Sequence, residues 1–302
     1  QPPPTCSRFH FTPLSMKGLE PEEDKKPIYA VVFGSVIAIG LPLNILSLWI
    51  FLRHHSLRSP SIVFMVNLAI SDLLLVISLP MRVYFYATGT WPLTNMACIW
   101  ITMLFRNNIR SSAIFITIIS VDRLLAVVYP LKSRQLRTPS KACKAAVVIW
   151  LLLLVVNIPE SVNLSRFLNN HTEPACFDFH PPQVDVRLHR SGVAYFQLVV
   201  LFTMLAVNIM STVLVSWTLH KNVNDSAIIR NKVNVMLIFA MNLMMFTLFF
   251  LPVSLALFFN HLRPALNCLA SVNCCLDPLL YYFSFDGFWR RKEDVDSSIA
   301  RE

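Results

Sequence analysis

Seven runs of apolar residues divide the chain, at 29–51, 61–86, 96–128, 145–158, 193–219, 233–259 and 264–283, with short polar stretches between them. Each is longer than the ~10 residues of a membrane barrel strand, and none alternates polar with apolar positions, so strands are excluded. Most match the ~20 apolar residues that one helical bilayer crossing needs. Pro80 is expected to kink the second helix and Pro159 to end the fourth, while the sixth and seventh contain Pro252 and Pro278. The pattern predicts an all-α membrane protein. Residues 29–283 form a seven-transmembrane helix bundle, 1–28 an extracellular amino-terminal segment and 284–302 a cytoplasmic tail.

Composition agrees. The 302 residues are 55% hydrophobic and 14% charged, with a mean hydropathy of +0.56, whereas soluble domains keep about 25% charged. The net charge of +9 does not indicate nucleic acid, because the basic residues cluster between apolar runs rather than along one face. Arg53, His54, His55 and Arg58 follow the first run; Lys132, Arg134, Arg137, Lys141 and Lys144 follow the third; Lys221, Arg230 and Lys232 follow the fifth; Arg290, Arg291 and Lys292 follow the seventh. These segments share one side of the membrane, which the positive-inside rule assigns to the cytoplasm. The protein is expected to be a multi-pass plasma-membrane protein with its amino terminus outside. With no apolar core in 1–26, the first helix is expected to act as the insertion signal.

The loop expected after the fourth run carries glycosylation patterns at Asn163 and Asn170, on the outer side; a third, at Asn224, falls inside and is expected to be silent. Cys98, opening the third helix, and Cys176, in that same outer loop, lie where oxidation is permitted and are expected to form a disulfide. Cys143, Cys268, Cys274 and Cys275 read as small packing residues, and Cys6 has no evident partner.

Polar groups inside the membrane need a reason, since a charge at mid-bilayer costs at least about 2.5–3.5 kcal/mol. Asn44, Asp72, Ser112, Asn273 and Asp277 fall there. One reading is a hydrogen-bonded knot that sets helix packing. The other adds a sodium ion held by carboxylate, amide and hydroxyl oxygens, which would relieve the repulsion between two acids. No other cofactor is expected.

Asn44, Asn67-Leu-Ala-Ile-Ser-Asp72, Cys98, Asp122-Arg123, Trp150, Phe250-Leu-Pro252 and Asp277-Pro-Leu-Leu-Tyr281 fall in order along the helices. This pattern resembles the rhodopsin-like (class A) G-protein-coupled receptors over roughly 29–292. Gly40-Leu-Pro-Leu-Asn44, Leu79-Pro-Met-Arg82, Ser120-Val-Asp-Arg-Leu-Leu-Ala-Val-Val-Tyr-Pro-Leu131 and Cys274-Cys-Leu-Asp-Pro278 resemble the branch holding purinergic, lysophospholipid and proteinase-activated receptors. The resemblance implies an activation switch of Asp122, Arg123, Phe246, Phe250, Pro252, Asp277, Pro278 and Tyr281. Arg123 and Leu131 would meet a heterotrimeric G protein, with Asp122 beside Arg123 as an exchangeable charge pair. Phe246 and Phe250, four apart, would stack as a transmission pair or simply pack in the core. A short amphipathic eighth helix over 283–292 would set Phe285, Phe288 and Trp289 into membrane lipid.

Three departures stand out. Leu124 replaces an aromatic residue, Met204 the proline that bulges the fifth helix, and Thr212 a tyrosine that normally meets the counterpart of Tyr281. Between Pro252 and Pro278 there are only 26 residues for two half-helices and a turn, so either the outer loop is unusually short or, the favoured expectation, a segment near 261–264 is missing.

The ligand question turns on arginines. Arg106 and Arg110 share a face of the third helix, and Arg82 follows Pro80 on the second. Glu160 is the acid expected near them. An internal bridge to Arg106 or Arg110 is one reading, but a single acid cannot neutralise three arginines. The surplus favours an acidic ligand, and Tyr84, Tyr86, Phe105, Phe196 and Phe258 offer apolar walls, although such residues also serve ordinary packing. An anionic lipid such as a lysophospholipid is the first expectation. The alternatives are a nucleotide, met by His180, Arg187, His189 and Arg190, and a tethered peptide released by cleavage near Arg8 or Lys17. From other classes, a transporter would need internal repeats that are absent, and a non-signalling scavenging receptor would suit the three departures. No nucleophile–base pair or phosphate loop suggests an enzyme.

Overall fold

The computed structural model describes residues 26–54, 59–170, 176–177, 187–221, 226–255 and 262–282. All regular structure among them is helical. The elements are α1 (Lys26–His54), α2 (Pro60–Thr88), α3 (Asn95–Val128), α4 (Pro130–Leu136), α5 (Pro139–Asn170), α6 (Arg187–Lys221), α7 (Ser226–Met245), a π-turn (Phe246–Phe250), α8 (Leu251–Leu255) and α9 (Arg263–Ser271). A last helix, α10, covers 273–282. Six of these stretches are long and apolar enough to cross a membrane, the sixth running from α7 through the π-turn into α8. The seventh run is α9 and α10, joined at Val272, where the bonds shorten to Val272 N–H on Leu269 C=O and Cys275 N–H on Val272 C=O.

Local chemistry sets several boundaries. Pro60 opens α2, where its missing N–H costs nothing, and Gly89 closes it at φ +70°, donating to Phe85 C=O at 2.8 Å. Thr94 caps α3, its hydroxyl accepting from Ala97 N–H at 3.3 Å. The fourth run corrects the sequence reading. Pro159 lies inside α5, which continues to Asn170. A proline removes one helical bond, but the other backbone groups in a bilayer have no water to turn to, so the helix continues past it. Asn163 therefore stands exposed on a helical extension rather than in a loop. The fifth and sixth helices also begin earlier than their apolar runs, at Arg187 and Ser226.

The bundle is apolar outside and buries a polar layer within an apolar interior. Trp49, Leu151, Val155, Phe202 and Trp217 are exposed, whereas Asn44, Asp72, Asn108, Ser111, Ser112, Asn273 and Asp277 are buried. Two apolar clusters sandwich this polar layer. One holds Phe33, Leu79, Phe85, Tyr86, Trp91 and Phe105 beside Cys98 and Cys176. The other holds Phe51, Phe115, Phe246, Phe250 and Tyr281 towards α4. Asn44 on α1, Asp72 on α2 and Asn108 to Ser112 on α3 all fall between positions belonging to the two clusters.

Candidate functional site

At the end of the bundle marked by the disulfide, Cys98 and Cys176 are bonded with their Cα atoms 5.7 Å apart, as expected. The next residue, Phe177, reaches Arg82. The Arg82 guanidinium carbon lies 4.0 Å from the Phe105 ring centroid and 4.3 Å from that of Phe177. Arg82 is buried, its Nε meets no hydrogen-bond acceptor, and no carboxylate pairs with it among the described residues. Tyr86 stacks against Phe33 at 5.8 Å and packs edge-on to Phe85 at 5.5 Å, closing the aromatic wall.

Nearby, Glu160 on α5 serves both α3 arginines. Arg106 Nη1 donates to its Oε2 at 3.0 Å, and Arg110 Nη2 donates to its Oε1. Gln197 of α6 donates to the same Oε1 at 3.2 Å, and Arg110 Nη1 reaches Asn157 Oδ1 at 3.1 Å. The internal bridge weighed from the sequence thus involves both arginines at once. It leaves one positive charge over, and Arg82 adds another.

The polar layer centres on Asn108, which the sequence reading passed over. Its Nδ2 donates to Asp72 Oδ1 at 2.9 Å and to Ser71 Oγ and Ser112 Oγ at 3.2 Å. Asn44 donates to Gly40 C=O and Cys274 C=O, and Asn273 donates to Asp277 Oδ2 at 2.8 Å. Asn44 Oδ1, Asp72 Oδ2, Asn273 Oδ1 and Asp277 Oδ1 receive no protein donor among the described residues. These four buried acceptors, two of them from acids, are hard oxygens.

At the opposite end, Asp122 pairs with Arg137 rather than Arg123. Arg137 donates through Nε at 2.6 Å and Nη2 at 2.8 Å, and the Ser61 hydroxyl donates to the same carboxylate. Arg123 Nε has no acceptor among the described residues. The expected Asp122–Arg123 pair is not formed, because the Arg137 fork occupies both carboxylate oxygens. Arg137, held in the turn between α4 and α5, can instead present its flat fork to both oxygens. Phe246 and Phe250 do meet, centroids 5.4 Å apart, but edge-to-face rather than stacked. They lie in the π-turn ahead of Pro252, both buried. Tyr281 packs edge-on against Phe51 at 5.1 Å, and its hydroxyl lacks a partner among the described residues. Leu131, on α4, is 84% exposed.

A family model for the 7 transmembrane receptor (rhodopsin family) matches residues 43–281. The chain belongs to the rhodopsin family of seven-transmembrane receptors. It is 32% identical to lysophosphatidic acid receptor 6 of Mus musculus over 281 residues, covering 87% of this chain and 82% of that one. It is 33% identical to lysophosphatidic acid receptor 4 of Homo sapiens over 283 residues, covering 87% and 76%. The uracil nucleotide/cysteinyl leukotriene receptor of Homo sapiens is 28% identical over 312 residues, covering 95% and 81%. The protein is thus a multi-pass membrane receptor of the lysophospholipid/purinergic branch, in a family of receptors rather than enzymes.

Within the receptor, helix contacts follow the family motifs. Trp150 Nε1 donates to Asn67 Oδ1 at 2.8 Å, tying α5 to α2; Asn208 ties α6 to Thr117 at 3.0 Å, and Asn242 ties α7 to Ser120 at 2.7 Å. Helix α6 runs unbroken through Met204, as expected without the bulge-making proline. Several expectations lie outside the described residues: Cys6, the side chain of Asn170, Asn224, His180 and the side chains of Arg187, His189 and Arg190, Phe258, the eighth helix and the tail. Residues 256–261 do as well, while Leu262 to Pro264 open α9. Of the segment 261–264, where an omission is expected, His261 lies among them and 262–264 are described.

Proposed function

We propose that this receptor binds an extracellular amphiphile with a phosphate head, a lysophospholipid, and passes the signal to a heterotrimeric G protein from a plasma membrane in which its amino terminus lies outside and its carboxy terminus inside. The observation that carries the reading is Arg82, a buried cation flanked by rings with no carboxylate partner among the described residues. Leaving it without an anion in a low-dielectric site is costly, and an oxyanion with two oxygens matches its fork. Glu160 leaves Arg106 and Arg110 with one net positive charge, which attracts the same anion. Tyr86 and Phe105 supply apolar surface for a chain beside the head. Two relatives named for lysophosphatidic acid support this choice. The relative named for uracil nucleotides and leukotrienes also takes anionic ligands, so nucleotides are the second arm of the test.

On the inner side, Arg123 and the exposed Leu131 form the G-protein contact, and Phe246, Phe250, Pro252 and Tyr281 transmit the change as the sixth span moves outward. Asn163, exposed on α5, is a glycan acceptor. The polar layer suits a sodium ion: the oxygens of Asn44, Asp72, Asn273 and Asp277 that lack donors among the described residues, with Ser112 Oγ, which shares the Asn108 donor with Asp72, would hold it, and its charge would let both acids stay ionised.

The test is nucleotide exchange on purified G proteins with the receptor in bicelles. Lysophosphatidic acid is expected to stimulate exchange, and Arg82→Ala to shift its EC50 upward at least tenfold. Stimulation by uracil nucleotides alone would favour the second arm. Saturable binding without exchange would indicate a scavenger.

A further inference from the structure

We propose that Phe177 is a positioning residue that holds Arg82 edge-on for its anion. The proposal rests on the reading of Arg82 as the anion-binding residue, but its own observations are separate. Phe177 is tied to the head of α3 through its neighbour Cys176 and the bridge to Cys98. Its ring packs edge-on to Phe85 at 5.2 Å and to Trp91 at 5.4 Å, and lies parallel to Tyr86 at 6.5 Å. It is thus fixed by a covalent anchor on one side and by three rings from α2 and the segment after it on the other.

The ring so fixed stands 4.3 Å from the Arg82 guanidinium carbon, while Phe105 of α3 stands 4.0 Å from it. A guanidinium has two flat faces and one hydrogen-bonding rim. Two rings this close attract the cation through their negative π-clouds and restrict its tilt, which favours a ligand approaching along the hydrogen-bonding rim. Nε, on that rim, is buried without an acceptor among the described residues. An oxyanion is therefore favoured in the guanidinium plane, where two oxygens can accept in parallel.

Without Phe177 the side chain would keep one ring and regain the freedom to tilt, losing orientation rather than charge. The disulfide gains a role as well, because it anchors beside the head of α3 the residue whose ring meets a buried α2 cation.

Two measurements on the full-length receptor test this. The first needs no ligand: phenylglyoxal modifies accessible guanidinium groups, and Arg82 is followed by peptide mass spectrometry. Phe177→Leu, which keeps bulk but removes the π-face, is expected to speed Arg82 modification about three- to thirtyfold, and Phe177→Tyr to leave it as in the wild type. The second measures exchange stimulated by 1-oleoyl lysophosphatidic acid. Phe177→Leu should raise EC50 by a similar factor with the maximal response unchanged, and Phe177→Tyr should restore it. A leucine variant equal to the wild type in Arg82 modification would overturn the proposal, since bulk alone would then suffice. A wild type silent to the lipid, with the leucine and tyrosine variants still differing in modification, would reject the ligand reading and leave the positioning role standing.

Discussion

Arg137 grips both oxygens of Asp122, at 2.6 and 2.8 Å, and thereby takes the carboxylate that would otherwise lie within reach of Arg123. One acid faces two arginines, so the pairing is a competition. Removing Arg137 should hand Asp122 to Arg123, holding the latter away from the G protein. Arg137→Gln is therefore expected to lower basal nucleotide exchange about threefold, a little under 1 kcal/mol. Arg137→Lys, with one point charge in place of a fork, should fall between. A rise in basal exchange in Arg137→Gln would show that the loop arginine restrains the receptor instead.

Glu160 is the only carboxylate paired with Arg106 and Arg110 among the described residues. Glu160→Gln should cost stability, because two guanidinium groups lose their counter-ion in a partly buried site. Side-chain exposures of 33%, 22% and 17% for Arg106, Arg110 and Glu160 moderate the loss to about 2 kcal/mol, or roughly 5 °C in melting temperature. The added net charge should at the same time tighten binding of an anionic lipid. Arg106→Gln with Glu160→Gln should regain most of the stability. Equal melting of the single variant and the wild type would mean that the bridge contributes nothing.

The four donorless oxygens of the polar layer make a sodium prediction. Replacing choline chloride by sodium chloride should raise the melting temperature by a few degrees, as about 1.4 kcal/mol of linkage would at tenfold saturation. Asp72→Asn should abolish the difference. A sodium shift that survives both Asp72→Asn and Asp277→Asn would place the effect elsewhere.

The seven spans were legible because apolar run length is a property of contiguous residues, and the bilayer leaves a backbone few alternatives. Cys98 with Cys176 and the Asp72 and Asp277 motifs were legible for a similar reason, being rare residue types at telling positions. What escaped depended on distant contacts. Arg137 looked like one more basic loop residue, because nothing local marks a guanidinium that folds back onto Asp122. Asn108 was hidden between Asn107 and Ile109, and only its bonds to Ser71, Asp72 and Ser112 single it out. Phe177 is an ordinary loop aromatic until the disulfide carries it to Arg82. Pro159 misled in the other direction, since a helix breaker in water is tolerated within a membrane span.

Thr212 uses its hydroxyl on its own helix, donating to Asn208 C=O at 2.8 Å, while the Tyr281 hydroxyl lacks a partner among the described residues. A tyrosine at 212 could not close such a short backbone bond and would extend its hydroxyl away from the helix, where the family's water-bridged contact with the tyrosine matching Tyr281 forms in the active state. A bridged bond of about 1 kcal/mol formed only in that state should raise basal exchange roughly fivefold. Thr212→Tyr is expected to do so, and Thr212→Phe, which adds the ring without the hydroxyl, is not. Tyr281→Phe in the Thr212→Tyr background should return the baseline to the wild-type level. An increase shared by Thr212→Tyr and Thr212→Phe would attribute the gain to packing along α6 and remove the hydroxyl bridge from the account.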